Sequence, residues 1–176
     1  MRNGTTPLMM SIAVGLMLCL VASQSHTNAD EAAASKFNVL LIVSEDNSPD
    51  LSCYGNSFVQ TPNLDRLASQ GVRFERAFVA TASCSESRSA ILTGLYPHQN
   101  GQIGLATHKY SMHRNWPNIP SLLKQQGYRT GIIGKLHVNP ESAFPFDFRK
   151  IPSSNFSRKT LRDYARHAEA FFKAGD

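Results

Sequence analysis

Nowhere in the 176 residues do more than two lysines or arginines stand side by side. The net charge of +5 is therefore spread thinly. A diffuse positive surface suits anionic partners, but the basic stripe of a nucleic-acid-binding protein is missing, so nucleic acid is not expected as a partner. Internal repeats and low-complexity tracts are absent as well, which excludes a solenoid or a tail-like chain. No apolar run reaches the length of a membrane span. The longest, Leu8 to Ala22 ("LMMSIAVGLMLCLVA"), covers about fifteen residues where a spanning helix needs roughly twenty. With Met1-Arg2 before it and the polar stretch "SQSHTNADEAAAS" after it, the run reads as a secretory signal peptide over residues 1–24, followed by a linker over 25–36. The expected location is exported (periplasmic, secreted or lysosomal), with no stable membrane insertion after cleavage. An uncleaved anchor is the alternative, and bulky Leu18 ahead of Cys19 argues against a lipoprotein. Cysteine is scarce too: of three, only Cys53 and Cys84 lie beyond the leader, and in an oxidising compartment such a pair can form a disulfide.

The 176-residue chain as a whole has the size and balance of one globular domain, 41% hydrophobic and 18% charged. "FNVLLIV" (Phe37 to Val43) is a continuous apolar run, the pattern of a strand buried on both faces. It stops at "SEDNSPD". Thr61-Pro62 reads as an N-cap and first-turn proline, Leu64, Leu67 and Ala68 as helical spacing, and Gly71 as the C-cap. "VRFERAFV" (Val72 to Val79) alternates as a second strand. Ser87 to Thr93 predicts a short helix ending at Gly94, and Asn-Gly in "HQNG" (His98 to Gly101) predicts a turn. Pro120 to Gln126 reads as a helix closed by Gly127, and "YRTGIIG" (Tyr128 to Gly134) as another buried strand. Leu161, Tyr164, Ala165, Ala168, Phe171 and Phe172 share one face of an amphipathic helix. Alternating strands and helices predict an α/β fold with a mainly parallel sheet.

In such sheets ligands bind beyond the carboxyl ends of the strands. Glu45 and Asp46 follow the first predicted strand, Cys84 and Arg88 the second, and Lys135 and His137 a later one, so three segments are expected to converge on one rim. Adjacent carboxylates offer hard oxygen ligands for Ca²⁺ or Mg²⁺, although a lone Glu-Asp pair is more often a solvated loop. A thiol at a helix start lies in positive potential beside free N–H groups that bind anions, and equally fits a half-cystine. Lys135 and His137 can both donate to an anion, and singly each reads as a surface residue.

The motifs that carry these residues resemble the sulfatase family. "CSESRSAILTG" resembles the signature in which Cys-x-Pro-Ser-Arg leads to Thr-Gly, and "GYRTGIIGKLH" (Gly127 to His137) the second signature. "NVLLIVSEDN" resembles the metal-binding first strand, and "TPNLDRLASQGVRFERAF" the segment that joins the two. The match is collinear from about Asn38 to Phe148, and "HQNG" and "PFDF" (Pro145 to Phe148) resemble the branch containing N-sulfoglucosamine sulfohydrolase. The resemblance implies an alkaline-phosphatase-like α/β domain over 37–176. It also implies that a formylglycine-generating or other sulfatase-maturating enzyme oxidises Cys84 to formylglycine, whose hydrate attacks sulfur and is regenerated as sulfate leaves. Arg88 is then expected to hold the formylglycine oxygens, Glu45, Asp46 and the matured Cys84 to bind one Ca²⁺, and Lys135 and His137 to steady the sulfate oxygens. The implied substrate is a sulfated carbohydrate, and Cys84 is then not a half-cystine.

Two positions depart from the family pattern. Glu86 stands where proline, or sometimes alanine, is usual, and Glu45 where many members carry aspartate. No Asp-Asn pair of the kind that completes the metal shell in the family follows Lys150, so the chain is expected to be an N-terminal, truncated part of the catalytic domain. The competing expectation is an inactive remnant, or one that only binds sulfated glycans. A phosphoesterase of the wider superfamily would present a nucleophilic Ser or Thr, and Cys-x-x-x-Arg argues against it.

Overall fold

The computed structural model describes residues 37–152 and 161–174. The leader, the linker and residues 153–160 lie outside the described residues. Residues up to Val43 and residues from Ser44 onward group as two units, and each is taken by itself.

In the first unit, residues 37–43 carry no regular secondary structure, and Phe37 and Ile42 are 82% and 76% exposed. The buried strand expected there is not formed. In the second unit, residues 72–79 are likewise not a strand, with Phe78 89% exposed. The reason is the same for both. A strand is maintained by neighbours that take its N–H and C=O groups, and the one ladder among the described residues lies elsewhere. Apolar alternation in these segments marks faces that want cover and does not supply the partner strands.

The helices follow their sequence signals more closely. Helix α1 (Pro62–Gln70) opens with proline in its first turn, as expected. Thr61 is its N-cap residue, but its hydroxyl does not cap a backbone N–H. It receives the Ser52 N–H (3.1 Å) and donates to Asp65 Oδ1 (2.9 Å), while Ser52 Oγ donates to Asp65 Oδ2 (2.5 Å). Helix α2 spans Cys84–Thr93 and ends on Gly94 in the left-handed conformation, φ 70°. It starts three residues before the predicted Ser87. "HQNG" forms the one-turn helix α3 (Pro97–Asn100), closed by Gly101 at φ 97°. Helix α4 (Ile119–Gln125) is capped by Asn118, whose side chain accepts the Ser121 N–H.

Strands β1 (Gly131–Ile133) and β2 (Phe148–Lys150) pair in parallel, with Gly131 opposite Phe148. β1 lies within the predicted Tyr128–Gly134 run; β2 is a strand that its charged Phe-Arg-Lys sequence did not announce. The residue before it explains the pairing. Asp147 accepts the Thr130 N–H (3.0 Å) and hydroxyl (3.2 Å), donates its own N–H to the Thr130 carbonyl (2.9 Å), and pairs with Lys124 of α4. The "PFDF" aspartate therefore clamps the starts of both strands to a helix. Helix α5 (Leu161–Lys173) lies on β1, its Phe171 ring against Phe148 (centroids 5.5 Å apart) and its Tyr164 ring 3.3 Å from where a Cβ on Gly134 would stand. Met112, Leu136, Val138 and Phe144 form the small buried core, with Leu92, Trp116 and Ile132 packed around it.

The Asp147 clamp has a titration signature. Its carboxyl is held down at about 2, first by the hydrogen bond from Lys124 and then by the Thr130 backbone N–H. A carboxyl whose folded pKa is depressed contributes stability above its unfolded value, near 3.9, and loses it as pH falls toward the folded value. Asp147→Asn is therefore expected to flatten the loss of stability between about pH 4 and pH 2, measured by urea unfolding across that window. An acid limb as steep as in the unmodified chain would count against the clamp.

Candidate active site around Cys84

Helix α2 carries the thiol and the guanidinium that the sequence singled out. Its N-cap, Ser83, is extended (φ −148°, ψ 143°), and Cys84 is the first helical residue. Ser83 Oγ donates to Glu86 Oε2 at 2.6 Å, a Ser-x-x-Glu clip at the helix start. Glu86, the departure from the family pattern, is thereby a buried first-turn acid rather than a solvated charge.

The inner face of α2 is polar and small. Ser85 and Ser89 are fully buried, which is why no apolar stripe marks this helix in the sequence. Ser85 Oγ accepts the Ala106 N–H (2.9 Å), and Ser89 Oγ accepts Asn100 Nδ2 (3.0 Å). Asn100 Oδ1 in turn accepts the Gln102 N–H (2.8 Å), and Gln102 Oε1 accepts the Asn139 N–H (3.0 Å). A relay of buried amides thus runs from α2 to a backbone group two residues beyond His137. Buried polar groups that are all satisfied fix a unique geometry, because each misplacement leaves a donor unpaired. Sequence reasoning noticed Asn100 and Gly101 only as a turn and missed buried Gln102 and half-buried Asn139, whose partners no periodic pattern signals.

At the other end of the relay, Lys135 and His137 follow β1. Arg88 Nη1 donates to the Lys135 carbonyl at 2.6 Å, tying α2 directly to this segment. Lys135 Nζ pairs with Glu45 Oε1, and Arg88 Nη2 lies 3.7 Å from Glu45 Oε2. The Glu45 carboxyl sits below its usual value. Burial pushes it up, and this is outweighed by the hydrogen bonds from Lys135 and the Cys84 thiol together with the charges of Arg88 and Lys135. Ligand atoms of Glu45, Asp46 and Cys84 all lie within 4.8 Å of one another.

His137 completes the group. Both of its ring nitrogens are buried without a hydrogen-bond partner among the described residues. Burial lowers its pKa, the charge of Lys135 lowers it further, and Glu45 partly opposes this. An imidazole whose two nitrogens have no protein partner can hydrogen-bond to a ligand or to water. Asp46 and His137 both hold positive φ, 54° and 53°, an uncommon backbone state for residues with a Cβ that recurs at functional sites.

The three predicted segments therefore do converge, without the first two predicted strands. Cys53 and Cys84 are both free thiols, so the disulfide alternative is not realised. Two carboxylates fit a hard cation such as Ca²⁺, whereas a thiol is a soft donor, and an oxygen species derived from Cys84 would make the set uniform. Among the described residues no helix is long and apolar enough to cross a membrane.

The Sulfatase family profile matches residues 37–172, the span that contains every one of these side chains. The chain belongs to the sulfatase family. As a sulfatase domain it is of the alkaline-phosphatase-like α/β class, here with its helices and a small parallel sheet. Human N-sulphoglucosamine sulphohydrolase is 46% identical over 113 residues, covering 63% of this chain and 22% of that protein. N-acetylglucosamine-6-O-sulfatase of Bacteroides thetaiotaomicron is 34% identical over 127 residues (72% of this chain, 22% of that protein). Human steryl-sulfatase is 35% identical over 152 residues (81% and 25%). This sulfatase chain thus spans about a fifth to a quarter of the length of these relatives.

Proposed function

We propose that this chain carries the nucleophile-bearing part of a sulfatase that hydrolyses sulfate esters or N-sulfo groups of sulfated carbohydrates. The observation that carries the reading is the convergence of Cys84 with Glu45 and Asp46 inside a 4.8 Å cluster flanked by Arg88 and Lys135. Both signatures are needed to build it. The name of the human N-sulphoglucosamine sulphohydrolase relative favours an N-sulfated sugar within that class.

Each residue has a task that its surroundings suit. Cys84, matured to formylglycine, supplies the oxygen nucleophile, and Ca²⁺ held by Glu45, Asp46 and that oxygen supplies Lewis-acid polarisation of the sulfate. Arg88, locked at one nitrogen to a main-chain carbonyl, keeps a permanent positive charge beside the nucleophile. Lys135 and His137 are donors for the sulfate oxygens as negative charge grows on them. The uncharged His137 orients an oxygen without adding to the local positive charge. The partners are a sulfatase-maturating enzyme and the sugar substrate, and the compartment is an exported one.

Maturation supplies the direct test. In a host with maturation enzymes, the Cys84 peptide is expected to lose about 18 Da as thiol becomes aldehyde. Free thiol alone would overturn the formylglycine reading. Glu86→Pro is expected to raise the converted fraction. It removes the clip to Ser83 that favours a helical start and restores a residue that favours extension before it.

A further inference from the structure

The Glu45 carboxylate is needed as a cation ligand, yet both its oxygens already face positive charge from this chain. Lys135 Nζ is paired with Oε1, and Arg88 Nη2 stands 3.7 Å from Oε2. Lys135 is the more deeply placed of that pair, its side chain 13% exposed against 22% for Glu45. Arg88 is anchored elsewhere, through Nη1 on the Lys135 carbonyl, whereas the Lys135 ammonium donates to Glu45.

We infer that the Lys135 ammonium is an internal stand-in for the divalent cation on Glu45, and that cation binding displaces it and turns it toward the sulfate. The inference rests on the sulfatase reading above and adds a form of regulation to that site. Charge balance supports it. Lys135 and Arg88 both face Glu45, and Asp46 lies beside Glu45 in the 4.8 Å cluster, so the formal charges of these four side chains sum to zero. A divalent cation adds two positive charges within a few ångströms of the ammonium, and the repulsion is strong in a partly buried setting. The flexible four-carbon stem of lysine can swing its charge away, which a guanidinium fixed to a backbone carbonyl cannot do. The displaced ammonium then requires an anion, so cation and sulfate binding reinforce each other, each raising the affinity for the other by the same factor. Without the cation, the pairing keeps Lys135 off any passing anion.

The test uses the whole chain with Cys84 unoxidised, Ca²⁺ as the cation and inorganic sulfate as the anion. Lysine acetylation by a brief pulse of acetic anhydride, read by peptide mass spectrometry, is expected to label Lys135 several-fold faster with saturating Ca²⁺. Exposed Lys173 serves as the internal reference, since its pairing with Glu169 lies on α5 away from the cluster. By calorimetry, Lys135→Met is expected to bind Ca²⁺ about tenfold more tightly than the unmodified chain, because the competitor is gone. Lys135→Arg, which keeps the charge, is expected to stay within about twofold. Sulfate is expected to tighten Ca²⁺ binding in the unmodified chain and to lose that effect in Lys135→Met.

Equal Ca²⁺ affinity in the unmodified chain and Lys135→Met, with labelling of Lys135 unchanged by Ca²⁺, overturns the inference and leaves the cation site standing. Absence of Ca²⁺ binding in every variant overturns both the inference and the cation reading. The labelling arm needs no substitution, so a variant that fails to fold does not spare the idea.

Discussion

Cys84→Ala is expected to lower turnover of a sulfate ester by about a thousandfold or more in any active form of the protein. On the proposed reading the thiol is the precursor of the oxygen nucleophile, and neither Arg88 nor His137 can replace it. The fold should barely notice. Cys84 is only partly buried at the first position of α2, and the helix is seated by Ser85 and Ser89 rather than by sulfur. A change in stability within about 1 kcal/mol is expected, checked by thermal unfolding beside the activity assay. Residual turnover within tenfold of the parent would mean that Cys84 is not the nucleophile's source.

Gly101→Ala is expected to be the most damaging single methyl, at about 3 kcal/mol or a fall of roughly 10 °C in melting temperature. Two costs combine there. Gly101 closes α3 at φ 97°, where an L side chain is strained. A Cβ would also stand 2.4 Å from His113 Nδ1 and 2.7 Å from the His113 backbone nitrogen, and backbone cannot step aside as a side-chain tip can. The His113 N–H itself donates to the Asn100 carbonyl at 3.1 Å, so the clash pushes on the amide relay behind α2. Gly94→Ala is the matched control. It shares the positive φ, 70°, but faces open space, so only the backbone cost of about 1 kcal/mol is expected. Equal losses at the two glycines would show that the contact with His113 contributes nothing.

How far the sequence foretold this arrangement depends on how local the cause is. Pro62, Gly94 and Gly127 act on their own backbone, and α1, α2 and α4 end or begin close to where these residues predict. The start of α2 was misplaced because Cys84, Ser85 and Glu86 look like loop residues, while the Ser83–Glu86 clip and the buried serine hydroxyls hold them in a helix. Phe37–Val43 and Val72–Val79 failed as strands for the opposite reason. Their apolar pattern is local, but a ladder is a property of two segments, and periodicity names only one. Glu45, Cys84, Arg88 and Lys135 were legible because residue type and spacing follow a chemical need. The amide relay through Asn100, Gln102 and Asn139 was not, since a buried amide is recognised by its partners and these lie far apart in the chain.

The bond from Arg88 to the Lys135 carbonyl has one more consequence. It fastens the guanidinium to an atom that every amino acid possesses. Position 135 can therefore change its side chain, and with it the charge and reach offered to the anion, while Arg88 keeps its seat. The main chain of residue 135 places Arg88, and the proposed contact with the anion is left to its side chain. On the proposed reading, a scaffold wired in that way can vary the group it offers a sulfated ligand, one substitution at a time, without moving the guanidinium beside Cys84.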